Sequence, residues 1–385
     1  MRRISIFGAT GSVGTNGVDL IRRAGGAEAF HVVALTAGRN IDRLARMARE
    51  LRAEIAVTAD EALLGDLRAR LEGSGVEAAA GPSALIEAAA RPADWVLSAI
   101  VGAAGLAPGL TALAQGGVLA LANKESLVCA GPLMRAAAAR SSAKILPVDS
   151  EHSAIFQALG SETRDSVKHV TITASGGAFR DWPLERLEAA TVAEASTHPN
   201  WAMGQRITID SASMFNKAME VIETHEFFGL EPERIKVLVH PESIIHAMVT
   251  HVDGGTIAHL GVPDMRHAIG YALNWPERAP LPVAALDLAR IGSLSFREPD
   301  EIRWPALRLA REVMAAGGMA GAVFNAAKEQ ALDDFIAQRI GFAQMAPRVE
   351  AALSTLSGRA GFADAPADLE TVLHWDRIAR QEAAA

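Results

Sequence analysis

The chain has a single cysteine, Cys129, among 385 residues. An intrachain disulfide and a cysteine-based metal site are therefore both excluded. The lone thiol reads as a small buried apolar residue, and its isolation suits a reducing cytoplasm. Positive charge is also short: 37 Lys and Arg stand against 45 Asp and Glu, a net charge of −8. That balance argues against a general binder of nucleic acid or anionic membranes, which carry an excess of Lys and Arg. It leaves room for a local basic pocket around a phosphorylated small molecule. No HExxH-type spacing occurs among the histidines, and His240, His246, His251, His259 and His267 read as structural. No internal repeat is visible. The opening MRRISIFGATG holds an apolar run too short for a signal peptide, so no leader is expected.

Charge is missing altogether from Trp95 to Asn123, a run of 29 residues. That length would span a bilayer. Gly102, Gly105, Pro108, Gly109, Gly116 and Gly117 interrupt it. The stretch reads instead as a buried strand to Ile100, a helix over 106–114 and a second buried strand over 117–122. Parallel strands covered on both faces look this apolar.

What is present is the make-up of a globular enzyme: 50% hydrophobic and 21% charged residues, at a length that predicts two or three domains. In the first third, strand patterns at 3–7, 31–36, 55–58, 94–100, 117–122 and 144–147 alternate with helical ones such as 16–24 and 41–51. This alternation predicts a doubly wound, Rossmann-like α/β sheet. The middle third has strand patterns at 169–174, 235–239, 247–251 and 255–260. It predicts an α+β domain whose strands join without helices, in a partly antiparallel sheet. WPERAPLPV and FREPDEIRWP mark a linker. Helical patterns at 305–316, 319–340, 343–356 and 368–381 predict a C-terminal helical bundle. The expected divisions are 1–149 for nucleotide binding, 150–273 for catalysis, 274–299 for the linker and 300–385 for the bundle.

Gly8-Ala9-Thr10-Gly11-Ser12-Val13-Gly14 follows a predicted strand and opens a predicted helix. Glycines let the backbone approach a pyrophosphate, and the helix start offers free N–H groups. Its GxxGxxG spacing is a variant of the usual dinucleotide fingerprint. The second strand ends in Gly38-Arg39-Asn40, with Arg39 where an NAD site usually places an acid. An Arg suits the 2′-phosphate of NADPH. Asp149 and Glu151 can point the same way in extended chain, and two close carboxylates repel unless a cation separates them. Glu220 supplies a third oxygen ligand, and three carboxylates suit Mg²⁺ or Mn²⁺. By spacing alone, a solvated acidic turn fits equally well. Glu223 lies one turn beyond Glu220 and reads as a support behind the ligands or as structural. Lys124 follows the uncharged run at a strand end, where such sheets place ligands. Ser175-Gly176-Gly177 also follows a strand and would admit an anion. His198 to Glu223 packs an imidazole, a Trp, serines, an Asn-Lys pair and acids into one window.

GATGSVG, ALTAGRN, LANKESLV, PVDSEHSAIFQ, SGGAFR, HPNWAMGQRITIDSASMFNKAMEVIE, HPESIIHAMV and LGVPDMRHAI occur in this order. Together they closely resemble the 1-deoxy-D-xylulose 5-phosphate reductoisomerase family over essentially the whole chain. The resemblance implies NADPH, Mg²⁺ or Mn²⁺, and a cytoplasmic homodimer. It implies retroaldol–aldol rearrangement and then hydride reduction to 2-C-methyl-D-erythritol 4-phosphate. It places Thr10, Gly11, Ser12 and Val13 at the pyrophosphate and Gly38, Arg39 and Asn40 at the 2′-phosphoadenosine. Asn123, Glu125 and Gly204 would be further cofactor contacts. Asp149, Glu151 and Glu220 would hold the metal. Lys124, Ser150, Ser175, His198, Ser211, Asn216 and Lys217 would contact substrate, the last five around its phosphate. Trp201 and Met203 would form the closing flap. Two departures stand outside these roles: Ala178, where the family often has proline, and Lys328, where it often has asparagine. A semialdehyde dehydrogenase also opens on such a loop, but it needs a catalytic cysteine, and only Cys129 exists. A non-catalytic NADPH-sensing module would have no use for three carboxylates.

Overall fold

Short β-branched runs alternating with amphipathic helices build a seven-stranded sheet. The computed structural model describes residues 1–201 and 204–384. Its strands are β1 (Arg2–Phe7), β2 (Phe30–Ala37), β3 (Ile55–Thr58), β4 (Glu77–Ala80), β5 (Trp95–Ser98), β6 (Val118–Leu121) and β7 (Lys144–Pro147). They are all parallel, in the order β4-β3-β2-β1-β5-β6-β7. The helices between them are α1 (Ser12–Arg23), α2 (Ile41–Glu50), α3 (Leu64–Leu71), α4 (Gly81–Ala89), α5 (Leu106–Ala114) and α6 (Lys124–Ser141). Ile4, Ile6, Val33, Leu35, Val57 and Leu97 are buried in the strands, as two covered faces require. Strand order reverses between β1 and β5, the switch point at which open α/β sheets place ligands. The expected doubly wound sheet is present. Strand β4 is an addition: its Glu-Ala-Ala-Ala has no β-branched residue to announce it.

The next elements are α7 (Ser150–Leu159), β8 (Val167–Ala174), α8 (Val192–Ala195), α9 (Gln205–Ala212), α10 (Phe215–Phe228), β9 (Ile235–Val239), β10 (Ile245–His251) and β11 (Thr256–Leu260). The second sheet runs β11-β10-β8-β9. Strand β10 is antiparallel to β8 and β11, while β8 and β9 are parallel. Strands joined without helices are found only from β9 to β11. The β8–β9 connection carries α8, α9 and α10, and a parallel pair needs such a crossover.

The chain divides into two compact units: Met1–Ser126, Leu133–Ser150 and Asp264–Val283 in one, Leu127–Pro132, Glu151–Pro263 and Ala284–Ala385 in the other. Helix α11 (Arg266–Asn274) thus belongs with the first sheet, and the Trp95 indole donates to the Ala272 carbonyl at 3.0 Å. The sequence reading puts 264–273 in the catalytic domain and 274–283 in the linker. Helical periodicity says that α11 has a buried face, not which sheet covers it. The last helices, α12 (Leu288–Ile291), α13 (Ala306–Ala316), α14 (Ala320–Ile336), α15 (Met345–Ser357) and α16 (Leu369–Ala384), count with the second unit. Among the described residues no helix is long and apolar enough to cross a membrane.

Candidate active site

In the first unit the nucleotide loop is built from backbone. Gly8 has φ +86°, and a Cβ there would sit 2.4 Å from the Ala99 carbonyl oxygen. A Cβ on Gly14 would meet the Gly8 oxygen at 2.1 Å. Both positions need glycine, one for its conformation and both for space. The loop is pinned to β2: Gly8 N donates to Thr36 Oγ1 at 3.0 Å and Ala9 N to the Thr36 carbonyl at 2.7 Å. Gly11 and Ser12 lie exposed where α1 begins, with no side-chain cap and no acid in its first turn. Unfilled N–H groups at an uncapped helix start suit a phosphate. Thr10 and Val13, half-buried, flank them.

Strand β2 is the neighbour of β1, so its end places Gly38, Arg39 and Asn40 on the same edge of the sheet. Arg39 is exposed and reaches Asp60 at 3.4 Å. Asn40 caps α2, its side chain accepting from Arg43 N at 3.2 Å, so this residue already has a structural task. Asn123 caps α6 and is buried. Its amide donates to the Gly102 carbonyl at 3.0 Å and to Glu125 at 2.8 Å. Asn123 and Glu125 therefore knit the loops after β5 and β6 together. Lys124 Nζ pairs with Asp149 Oδ1 at 2.6 Å, both largely shielded from solvent. Asp149 stands one residue before α7, and Ser150 is the first residue of that helix.

In the second unit the site is built from side chains. Glu151 lies in the first turn of α7 and Glu220 on α10. Lys217, also on α10, donates to Glu151 at 2.7 Å and to Glu220. Glu220 is 1% exposed and Lys217 3%. Burial alone would lower the Lys217 pKa, but Glu151 and then Glu220 outweigh it and hold the ammonium above its ordinary range. Asn216 donates to the other oxygen of Glu220 at 2.5 Å. His152 donates from Nε2 to the Glu220 carbonyl at 2.9 Å, with Thr224 Oγ1 3.1 Å away, and faces Glu223 at 3.3 Å. The His152–Glu223 pair links α7 to α10.

A second cluster forms around the end of β8. Ser175 Oγ lies 3.0 Å from His198 Nε2. His198 Nδ1 accepts from Asn200 N at 3.1 Å and Trp201 N at 2.9 Å. Two backbone donors on Nδ1 fix the tautomer, so Nε2 carries the proton and donates to Ser175. Burial, and then the nearby Arg180 charge, lower the His198 pKa to about 4, leaving a neutral imidazole near pH 7. The Trp201 ring is 6.3 Å from His246. Gly204 caps α9 with open space beside it. Ser211 Oγ donates to the Ile207 carbonyl within α9. Met203 lies outside the described residues.

Two residues of this cluster were given no place in it by the sequence reading, which left Arg180 without a role and took His246 as structural. Arg180 donates to the Ser175 carbonyl at 2.7 Å and supplies the charge felt by His198. The SGGAFR block held the only signal for it, a cation five residues past Ser175. His246 meets Trp201, and no pattern in the sequence pairs them. His240 is structural as read: its Nε2 accepts from Ile244 N and Ile245 N, both at 3.1 Å. Cys129 is buried.

Three family models match the chain. Residues 4–131 match 1-deoxy-D-xylulose 5-phosphate reductoisomerase, 145–228 its C-terminal domain, and 260–382 the DXP reductoisomerase C-terminal domain. A relative from Paracoccus denitrificans named 1-deoxy-D-xylulose 5-phosphate reductoisomerase is 73% identical over 100% of this chain and 98% of its own. One from Ruegeria pomeroyi is 66% identical over 99% and 96%. The Zymomonas mobilis reductoisomerase, solved in complex with NADPH, aligns with a TM-score of 0.93 at 45% identity, covering 100% of this chain and 98% of that one. A DOX-P reductoisomerase solved with NADPH, fosmidomycin and magnesium aligns at 0.93 and 37% identity, covering 100% and 97%.

Proposed function

The chain belongs to the 1-deoxy-D-xylulose 5-phosphate reductoisomerase family, and from that premise we propose how its residues divide the work. It converts 1-deoxy-D-xylulose 5-phosphate to 2-C-methyl-D-erythritol 4-phosphate, using NADPH and Mg²⁺ or Mn²⁺. The observation that carries the reading is the buried Lys217 ammonium shared by Glu151 and Glu220. Two carboxylates turned on one cation form an all-oxygen donor set, which fits a hard divalent ion. Asp149, adjoining α7, is the third ligand. When bound, the ion supplies Lewis-acid polarisation of substrate oxygens and NADPH supplies hydride.

The chain's own groups hold and orient. Asn216 fixes the rotamer of Glu220, and the His152 contact fixes the α10 backbone that bears it. Lys217 balances the carboxylate charge and would be free to donate to the substrate phosphate if a cation held those carboxylates. Ser175, His198, Ser211, Asn216 and Lys217 grip the phosphate, with Arg180 beside them. A neutral Nε2–H donor at His198 suits a phosphate oxygen. Lys124 holds Asp149 in place and donates to substrate, and Ser150 adds a hydroxyl. Trp201, with Met203, covers the substrate and excludes water; remote phosphate binding then contributes to ordering the flap. Thr10, Gly11, Ser12 and Val13 bind the pyrophosphate, and Gly38, Arg39 and Asn40 the 2′-phosphoadenosine. Asn123, Glu125 and Gly204 complete the cofactor contacts. The working form is a cytoplasmic homodimer. Sedimentation at micromolar concentration tests the dimer, and a monomer would remove that part of the reading. Titration of the protein with Mn²⁺, followed by electron paramagnetic resonance, tests the ligand set. Wild type should bind one ion, and Glu220→Gln should weaken binding; equal binding would remove Glu220 from the set.

A further inference from the structure

Helix α9 carries Ser211 and, one residue earlier, Asp210, for which the proposed chemistry has no use. Asp210 is buried, and its Oδ2 accepts from Lys328 Nζ on α14 at 3.1 Å. Lys328 is equally buried. Oδ1 of Asp210 has no hydrogen-bond partner among the described residues. Burial pushes this carboxyl above the ordinary range, and Lys328 works against that push. One turn earlier on α9, Arg206 pairs with Glu329 at 3.5 Å and with Asp333. Arg380 on α16 reaches the same Glu329 at 3.5 Å. Opposite charges therefore tie α9, α14 and α16 together.

The other end of α9 leaves no slack. A Cβ on Gly177 would lie 2.6 Å from the Ser211 carbonyl oxygen, so the Ser175–Gly177 loop rests directly on the helix. The Trp304 indole donates to the Ala212 carbonyl at 3.2 Å. A turn or slide of α9 would therefore move Ser211 against Ser175 and His198. Exposed ion pairs contribute little, but a buried pair broken on one side leaves an uncompensated charge, and such pairs are best attested as setters of register.

We infer that the buried Lys328–Asp210 pair is a positioning device for the phosphate grip. It sets the rotation of α9 on α14 and, through α9, the place of Ser211 opposite Ser175 and His198. The inference rests on the reading of those three residues as phosphate contacts. Lys328 and Asp210 are both buried and would act through α9. Lysine at 328 has both the reach and the charge to meet the buried carboxylate at 210.

The test uses full-length Lys328→Met, Lys328→Arg, Asp210→Asn, the Lys328→Met/Asp210→Asn double variant, and Ser211→Ala. Lys328→Met should raise the substrate KM about tenfold, as a misplaced contact does. The KM for NADPH should stay within about twofold, because only the phosphate grip is disturbed. Lys328→Arg should restore most of the substrate KM. The double variant, with no lone buried charge, should regain thermal stability but not KM, and it decides the question if either single variant fails to fold. A substrate KM unchanged in both Lys328→Met and the double variant, with only stability altered, would leave the pair structural and overturn the inference. If Ser211→Ala raises KM and the Lys328 variants do not, the positioning inference alone fails. If Ser211→Ala has no effect, the phosphate reading fails and takes the inference with it.

Discussion

The nucleotide loop and the carboxylate cluster solve opposite problems. The loop after β1, proposed to receive negative charge, has almost no side chain to offer: glycine turns and bare N–H groups at an uncapped helix start. The cluster of Glu151, Lys217 and Glu220, proposed to receive a cation, is built from largely buried charges, two carboxylates on one ammonium. A backbone site fails by steric intrusion. A charged site fails when one partner is removed and another is left buried alone. The two sites should therefore respond to different substitutions with different signatures.

The largest effect should come from the charged site. Glu220→Gln should lower turnover by roughly 10²-fold or more, comparable to losing an electrostatic stabiliser. Steady-state rates at limiting Mg²⁺ check this, and a near-normal rate would erase the contrast. Gly14→Ala is the corresponding break in the backbone site. With its Cβ 2.1 Å from the Gly8 oxygen, it should weaken NADPH binding about tenfold or more while sparing Mn²⁺ binding. Fluorescence titration with NADPH reads the first and electron paramagnetic resonance the second; loss of both together would mean that the whole fold had suffered. Arg39→Asp should have a smaller effect, eroding the preference for NADPH over NADH. Arg39 is exposed and bonded only loosely to Asp60, so folding should be unaffected. An unchanged ratio of kcat/KM for the two cofactors would show that another residue reads the 2′-phosphate.

The smallest effect is one of pH. His198 has its pKa lowered to about 4, against an ordinary value of 6.5. The unfolded chain therefore binds this proton at a higher pH than the folded one. Its contribution to stability is fully present above about 6.5 and is lost as pH falls towards about 4. Thermal midpoints between pH 7 and 4 should fall less steeply in His198→Gln than in wild type. Parallel slopes would place the acid sensitivity elsewhere.

The same contrast governs what could be read in advance. Backbone constraints leave a spacing in the sequence, so the glycine turn after β1 and the strand–helix alternation were legible as patterns. Side-chain sites leave only an inventory. Asp149, Glu151 and Glu220 fit a solvated acidic turn as well as a metal site until the family resemblance was added. The i,i+3 spacing on α10 offers Glu220 to Lys217, but nothing in the spacing announced that Glu151 would join them from α7. The resemblance places Lys217 on the substrate phosphate, and in the structure its ammonium lies between Glu151 and Glu220. Strand β4 was missed because alanines carry no strand preference; its pairing with β3 supplies the structure. The expected boundary after 273 falls inside α11, whose residues count with the first unit, because periodicity is blind to long-range packing. Arg180 went unnoticed because its role depends on a loop fold that returns it to Ser175.

The most direct test of the account is NADPH oxidation by purified protein supplied with 1-deoxy-D-xylulose 5-phosphate and Mg²⁺, with and without chelator. The account predicts oxidation that needs both substrate and metal, stops on chelation and returns when Mg²⁺ is added back. Oxidation that continues unchanged in chelator would contradict it, because the carboxylate cluster would then have no part in the reaction.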